Sequence, residues 1–187
     1  MNIFRLNNNP VIAAQDQCDK HVVKMPLESA QMLCTAHRML DGVFERRKNK
    51  NGNNIQYFLI EDDREDVFYK AVHFNHPSTV WTRECLANYQ WHYDHFIALC
   101  DEYTFRYGKV HAADTKLREI LKTPPKNIKK TVEETEFKLA MKSNPECMLD
   151  DPVESYRAFY QTKQDRFSMV WTKRSAPEWF NFVDKAS

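Results

Sequence analysis

Apolar side chains recur every three or four residues over much of this chain, a spacing typical of helices that pack on a core. The first such segment covers residues 10–18, where Asn9 is a helix cap followed by proline at the first helical position. A second helix is expected over residues 19–40. Pro26 lies inside it and predicts a kink, or a junction of two helices near Lys24.

The longest periodic segment follows His76 and continues to Gly108, which predicts one helix over residues 77–107. On a helical wheel, part of this segment places its apolar side chains within one arc of about 160°. We expect that arc to face the core; its members are Trp81, Leu86, Tyr89, Tyr93, Phe96, Ile97, Cys100 and Tyr103.

Shorter patterns predict helices over residues 64–72 and 114–122, and a last helix from the Asp151 cap to about Val170. The tail SAPEWFNFVDKAS is rich in aromatic residues and is expected to pack back onto the helices. The predicted fold is mainly α: a single-domain helical bundle over residues 1–187 with a long central helix.

The segment RRKNKNGNNIQ interrupts this pattern with basic side chains and turn formers. Its Asn51-Gly52 pair suits a tight turn, and apolar residues flank it on both sides. An exposed loop and a small β-hairpin near residues 43–60 are the two structures that fit.

Composition narrows the possible functions. The chain has 187 residues, a net charge of +1 and three scattered glycines, so it holds neither a phosphate-binding loop nor a dinucleotide fingerprint. It lacks an apolar run of membrane-spanning length, which predicts no membrane partner and a cytoplasmic location, that of a host cell if a phage encodes it. Five cysteines without a C-x-x-C pair predict reduced core residues.

One polar stripe carries the most chemistry. His21, Lys24, Glu28, Gln31 and Thr35 follow each other at helical spacing on a segment that is apolar on both flanks. In one interpretation, Lys24 and Glu28 form an internal ion pair in a polar seam between helices. In the other, Glu28 is a catalytic acid, base or cation stabiliser, while Lys24 and His21 supply charge and move protons.

A second group surrounds the start of the helix at Pro77. A helix N-terminus together with a guanidinium favours an anion, so this group predicts a phosphate site. The residues expected to bind substrate or phosphate are Gln31, His73, His76, Arg83 and Asn88. His73-x-x-His76, or His92 with His95, can also be interpreted as metal ligands beside Glu28, but neither has a recognised metal spacing, and no metal or other cofactor is assigned.

Local clusters of positive charge favour a nucleic acid or nucleotide as partner, although the net charge is far below that of a general DNA-coating protein. One cluster comprises Arg46, Arg47, Lys48 and Lys50, and the other Lys126, Lys129 and Lys130.

Several motifs carry a family resemblance. The opening MNIF-x-L and the segments CDKHVVK-x-x-LESAQMLCTAHR, NHP-x-x-x-W-x-RE-x-x-x-NY and ALC-x-EYT-x-RYGK-x-H resemble a family of uncharacterised phage-type proteins over about two thirds of the chain. More distantly, the layout resembles the pyrimidine-dimer DNA glycosylase and abasic-site lyase family of the phage endonuclease V type. There, a histidine seven residues before a catalytic glutamate corresponds to His21 and Glu28.

The distant resemblance implies an all-α enzyme whose amine attacks the sugar C1′ of a damaged nucleotide and forms a Schiff base. The family uses its terminal α-amine, exposed after removal of the initiator methionine. Asn2 is larger than the small second residue that favours this removal, so Lys24 is the alternative amine in this chain.

The leading hypothesis is therefore a DNA base-excision glycosylase or lyase centred on Glu28. Two alternatives stay open at this point: a metal-dependent nucleotide hydrolase that uses Glu28 and histidines, and a non-catalytic protein that sequesters a nucleotide or a host protein. The sequence assigns no oligomeric state.

Overall fold

The computed structural model describes residues 1–183, and most of their regular structure is helical. The α-helices in chain order are α1 (Pro10–Gln15), α2 (Asp19–Asp41), α3 (Arg64–Val67), α4 (Pro77–Glu84), α5 (Leu86–Tyr107), α6 (Ala112–Leu121) and α7 (Pro152–Gln161). Two short 3₁₀ turns cover Pro145–Cys147 and Thr162–Asp165. Strands β1 (Val43–Lys48) and β2 (Asn54–Leu59) form an antiparallel hairpin. The mainly α prediction, with one small hairpin, is confirmed.

Local signals set several helix ends as expected. The side chain of Asn9 accepts hydrogen bonds from the first turn of α1, and that of Asp151 accepts one from Glu154 N at the start of α7. Gly108 ends α5 in the left-handed conformation, with φ of 65°, where a side chain would add strain.

Pro26 does not divide α2 into two helices, contrary to the predicted junction. A proline inside a helix removes one backbone donor and crowds the preceding turn. Here α2 packs against α4, α5 and α6 along its length, and Pro26 itself is buried. We infer that this packing outweighs the cost of one lost hydrogen bond.

The single helix predicted over residues 77–107 is wrong: Cys85 is extended and separates α4 from α5. The free amides after the break find partners elsewhere in the chain, because Leu86 N donates to Lys129 O and Ala87 N donates to Thr131 O. Asn88 donates to Trp81 O across the break. These tertiary hydrogen bonds satisfy the groups that a continuous helix would have paired.

Two other predicted helices are shorter than expected. The helix over residues 64–72 ends at Val67, because the buried guanidinium of Arg38 takes the carbonyl groups of Phe68 and Tyr69. The last helix ends at Gln161 and continues only as a 3₁₀ turn.

Helix α2 contributes to two separate hydrophobic clusters. Met25 and Met32 pack in one cluster with Trp81 and Tyr156, while Leu33 packs in the other with side chains of α5 and α6. Most of the predicted apolar arc is buried. Trp81 belongs to the first cluster, and the other members except Tyr103 lie in or against the second. Leu86, Ile97 and Tyr103 are only partly buried.

The tail packs onto the protein through part of its predicted aromatic residues. Trp171 and Phe180 are buried, whereas Phe182 is exposed, and the last four residues of the predicted aromatic tail lie outside the described residues. All five cysteines are free thiols and buried, as predicted. Within residues 1–183, no helix combines the length and the apolar character that a bilayer span requires.

Candidate functional site

The first six residues pack inside the protein. Ile3 and Leu6 are fully buried, and Phe4 lies against the imidazole of His21 with 4.5 Å between ring centroids. The side-chain oxygen of Asn2 accepts hydrogen bonds from Tyr156 Oη at 2.8 Å and from Ile3 N at 2.9 Å. This buried segment fixes the position of Met1.

The amino group of Met1 lies 3.5 Å from Glu28 Oε2. The other carboxylate oxygen of Glu28, Oε1, lies 2.8 Å from Lys24 Nζ. Glu28 is 13% exposed and Lys24 is 62% exposed, so the carboxylate lies at the bottom of the site and Lys24 reaches it from the surface. Two amines therefore meet one carboxylate, and the Lys24–Glu28 pair of the polar-seam interpretation is only half of the arrangement.

These groups line a pocket of about 290 Å³. Its walls include the aromatic rings of Phe4, Phe159 and Phe167, and its polar side chains come from α2 and from the segment after α7. Four cationic groups and one carboxylate line it: the Met1 amine, Lys24, Lys163, Arg166 and Glu28. The pocket is positively charged overall and suits an anionic ligand.

His21 also lines the pocket but is held as a neutral ring. Burial, followed by the positive charges of Lys163, Lys24 and Lys20, lowers the pKa of His21 to about 3. Its Nδ1 lies 2.6 Å from Tyr160 Oη. A neutral, hydrogen-bonded ring does not carry a proton near pH 7, so the predicted role of His21 in proton transfer is less well supported than a role in shaping the pocket.

His76 lies beside the site. Its Nδ1 accepts a hydrogen bond from Ser78 N and so caps α4. Burial is the main cause that lowers the pKa of His76; the Met1 ammonium and His73 lower it further, and Glu28 raises it. His73 is exposed, with φ of 45°, at the start of the turn that leads to His76. Neither histidine lines the pocket.

The other predicted binding residues lie apart from it. Arg83 is in the last turn of α4, about 10 Å along the helix axis from the His76 cap, and does not line the pocket. Asn88 is fully buried and bonds to Trp81 O and Thr135. Gln31 is half-buried on α2 beyond Glu28 and does not line the pocket.

Lys163 and Arg166 were not predicted from the sequence. Lys163 is 8% exposed, and its Nζ lies 3.5 Å from the centroid of the Phe159 ring. Burial and then the nearby charge of Arg166 lower the pKa of Lys163 to about 8. The signal that could have found them is a pair of cations spaced i, i+3 after the last helix.

A larger cavity, of about 480 Å³, lies between α1 and α5. Its charged side chains are Asp94, Asp101, Glu102 and Arg174, and Arg174 is already paired with Glu102 at 2.6 Å. A mostly acidic lining repels a phosphate, so this cavity is a poorer candidate for the expected chemistry than the pocket at Glu28.

The described residues contain no group of side chains arranged to bind a metal ion. Among residues 1–183, no three histidine, cysteine, aspartate or glutamate side chains converge closely enough to hold a metal ion. The histidine pairs considered from the sequence therefore do not join Glu28 in such a cluster.

Comparison with models of protein families, with curated proteins and with solved structures found no match for this chain.

Proposed function

We propose that this protein is a DNA glycosylase and abasic-site lyase in which an amine of the pocket attacks the sugar and Glu28 moves the proton. The observation that carries the proposal is the 3.5 Å distance between the Met1 amino group and Glu28 Oε2 inside a cationic pocket. An amine next to a carboxylate base is the pairing that Schiff-base chemistry requires.

In the proposed reaction, the neutral amine of Met1 forms a bond to C1′ while the bond from C1′ to the base breaks. The base leaves with the bonding electrons and takes a proton from water. Glu28 then accepts a proton from the attached nitrogen. It passes this proton to O4′ as the sugar ring opens, which leaves a protonated imine joining Met1 to C1′.

The remaining cations would hold the DNA backbone. Lys163 and Arg166 lie on the wall formed after α7, and Lys24 lies at the exposed edge. Cations placed on two sides of the amine can contact the phosphates that flank one nucleotide, which positions the sugar for attack. The aromatic walls provide a surface against which an extruded base or sugar can pack.

Borohydride reduction tests the proposal, since it converts an imine between protein and DNA into a stable bond. The wild-type protein is incubated with abasic-site DNA or with DNA that contains pyrimidine dimers, and the adduct is located by peptide mapping. We expect one DNA strand per chain, attached at Met1. Intact-mass measurement of the same preparation establishes that Met1 is present with a free amine.

Two variants sharpen the experiment. Glu28→Gln keeps the shape of the side chain and should lower adduct formation by about 100-fold or more, since about 100-fold is the lower end of the range for a general base. Glu136→Gln, an exposed glutamate, is the matched control and should react like the wild type. Lys24→Gln should still form the adduct at Met1. If instead this variant forms no adduct, and the wild-type adduct maps to Lys24, then Lys24 is the attacking amine.

The absence of any adduct in the wild type, or an adduct that forms equally well with Glu28→Gln, contradicts the enzymatic proposal. If the protein nevertheless binds the DNA unchanged, a role as a non-catalytic binder replaces it.

A further inference from the structure

The hairpin has two unlike faces, set by its register. Phe44 pairs with Phe58, Arg46 with Gln56 and Lys48 with Asn54, and side chains alternate between faces along a strand. One face therefore carries two phenyl rings, two cations and two amides. We call these six residues the arm face: Phe44, Arg46, Lys48, Asn54, Gln56 and Phe58.

On the opposite face, an aromatic ring and a cation contact the protein's own side chains. Tyr57 is 8% exposed and donates a hydrogen bond to Glu65 of α3. The guanidinium of Arg47 lies 3.8 Å from the Tyr57 ring centroid and 2.6 Å from Glu45. The cation and the ring on this side already have partners.

The arm face is exposed to solvent, and its only charged side chains are basic. Phe44 is 50% exposed, and Arg46, Lys48, Gln56 and Asn54 are exposed as well. None of its six side chains is acidic, and across the described part of the chain neither Arg46 nor Lys48 forms an ion pair with a carboxylate. Exposed cations next to an exposed aromatic ring match the chemistry of a nucleic-acid strand, whose phosphates are anionic and whose bases stack.

A row of aromatic rings leads from the arm face to the turn that precedes α4. The rings of Phe44 and Phe58 are 5.6 Å apart, and the rings of Phe58 and Phe74 are 5.8 Å apart. Phe74 belongs to the tight turn closed by the hydrogen bond from His76 N to His73 O. His76, at the end of this turn, feels the charges of both the Met1 amine and Glu28.

We propose that the arm face binds a single-stranded segment of nucleic acid adjacent to the nucleotide held in the pocket. Phe44 stacks on one base, while Arg46 and Lys48 contact the phosphates on either side of it. This inference rests on the proposed action on DNA and names the surface that holds the strand outside the pocket.

The test measures binding of a fluorescein-labelled oligothymidine of about 12 nucleotides by anisotropy at several salt concentrations. Phe44→Ala should raise the Kd at least about fivefold, the lower limit for loss of one base stack. Arg46→Gln combined with Lys48→Gln should reduce the slope of log K against log salt by about 1.4, which corresponds to two lost phosphate contacts.

Arg47→Gln is the matched control, because it removes the same charge from the same strand on the opposite face, where Arg47 is already paired with Glu45 and Tyr57. Its Kd should stay within about twofold of the wild type, with thermal unfolding confirming that each variant is folded. Equal weakening by Arg47→Gln and Arg46→Gln, or unchanged binding by Phe44→Ala, overturns the proposal. Tight binding to duplex DNA without measurable binding to oligothymidine also overturns it.

These measurements distinguish binding by the arm face from the reaction in the pocket. Glu136→Gln, at an exposed glutamate outside both the pocket and the arm face, should bind the oligonucleotide like the wild type. If no borohydride adduct forms but the arm variants lose binding, the enzymatic proposal fails and the arm proposal stands. If the adduct forms and the arm variants bind normally, the reverse holds.

Discussion

Tyr156 Oη donates a hydrogen bond of 2.8 Å to the side-chain oxygen of Asn2 and so ties α7 to the second residue of the chain. Both side chains are buried, and Tyr156 Oη also accepts a hydrogen bond from Ala140 N. Because Asn2 adjoins Met1, this contact helps to keep the amino group next to Glu28.

Tyr156→Phe therefore tests whether the position of the amine matters. We expect the free energy of unfolding to fall by about 1 kcal/mol, the usual contribution of one hydrogen bond. We also expect the rate of borohydride trapping to fall by about tenfold or more, because small displacements of a reacting group are costly. Tyr103→Phe, at a half-buried tyrosine of α5, is the control for both measurements. A stability loss without a change in trapping rate would limit Tyr156 to a structural role.

Binding of DNA should depend on pH through Lys163. Burial and Arg166 lower the pKa of Lys163 to about 8, so the pocket loses a positive charge as the pH rises through that value. We expect the Kd for abasic-site DNA to increase between pH 7 and pH 9 at constant ionic strength. The arginine of Lys163→Arg stays charged over this range, so the Kd of this variant should change little with pH. Lys122 is exposed, and Lys122→Arg should show the same dependence of Kd on pH as the wild type. Identical profiles for all three proteins would rule out Lys163 as the titrating group.

Stability should fall as the pH falls below about 6.5. Burial lowers the pKa of His21 and His37 to about 3 and that of His95 to about 4. Between these values and 6.5 the unfolded chain binds protons that the folded protein does not, so acid favours unfolding. Each histidine contributes up to about 1.4 kcal/mol per pH unit within that window.

Urea unfolding between pH 4.5 and pH 7 measures this slope. His37→Gln should reduce the slope by about one bound proton, while His73→Gln, at an exposed histidine, should leave it unchanged. Five carboxylates also have a lowered pKa, but their ordinary values of 3.8 and 4.5 place most of their effect on stability at and below about pH 4.5; they are Asp19, Asp41, Asp62, Glu65 and Glu146. A flat profile above pH 4.5 would contradict the assignment of neutral, buried histidines.

Arg38 should be the side chain whose loss damages the fold most. Its guanidinium is 1% exposed and bonds to Glu65 Oε2 at 2.6 Å and to the carbonyl groups of Phe58, Glu65, Phe68 and Tyr69. Arg38→Met leaves these acceptors buried without a donor, and we expect a loss of about 3–5 kcal/mol in urea unfolding.

Arg64→Met is the comparison. Arg64 is more exposed than Arg38, and its buried partner Asp41 keeps hydrogen bonds from Lys126 N and Asn127 N, so its loss should cost less than half as much. Arg38→Lys should not restore stability, because an ammonium lacks the planar set of donors that reaches several carbonyl groups. A loss below about 1 kcal/mol for Arg38→Met would show that water replaces its hydrogen bonds.

The local order of residues determined the helical character of this protein and the part of its candidate site that α2 contributes. Caps such as Asn9 and Asp151, and the left-handed end at Gly108, depend on groups within one turn of each other. The same short-range geometry placed Lys24 and Glu28 on one face of α2, where the structure pairs them at 2.8 Å.

Tertiary packing decided where some helices end or continue and which residues meet in the pocket, because these contacts join residues far apart in the chain. The break at Cys85 depends on amides that find carbonyl groups of residues 129 and 131, and the continuity of α2 through Pro26 depends on the helices packed around it. Met1, Lys163 and Arg166 line the same pocket as Glu28 only because the first and last segments fold onto α2. Helical periodicity shows which face a side chain occupies, and packing alone decides what that face meets.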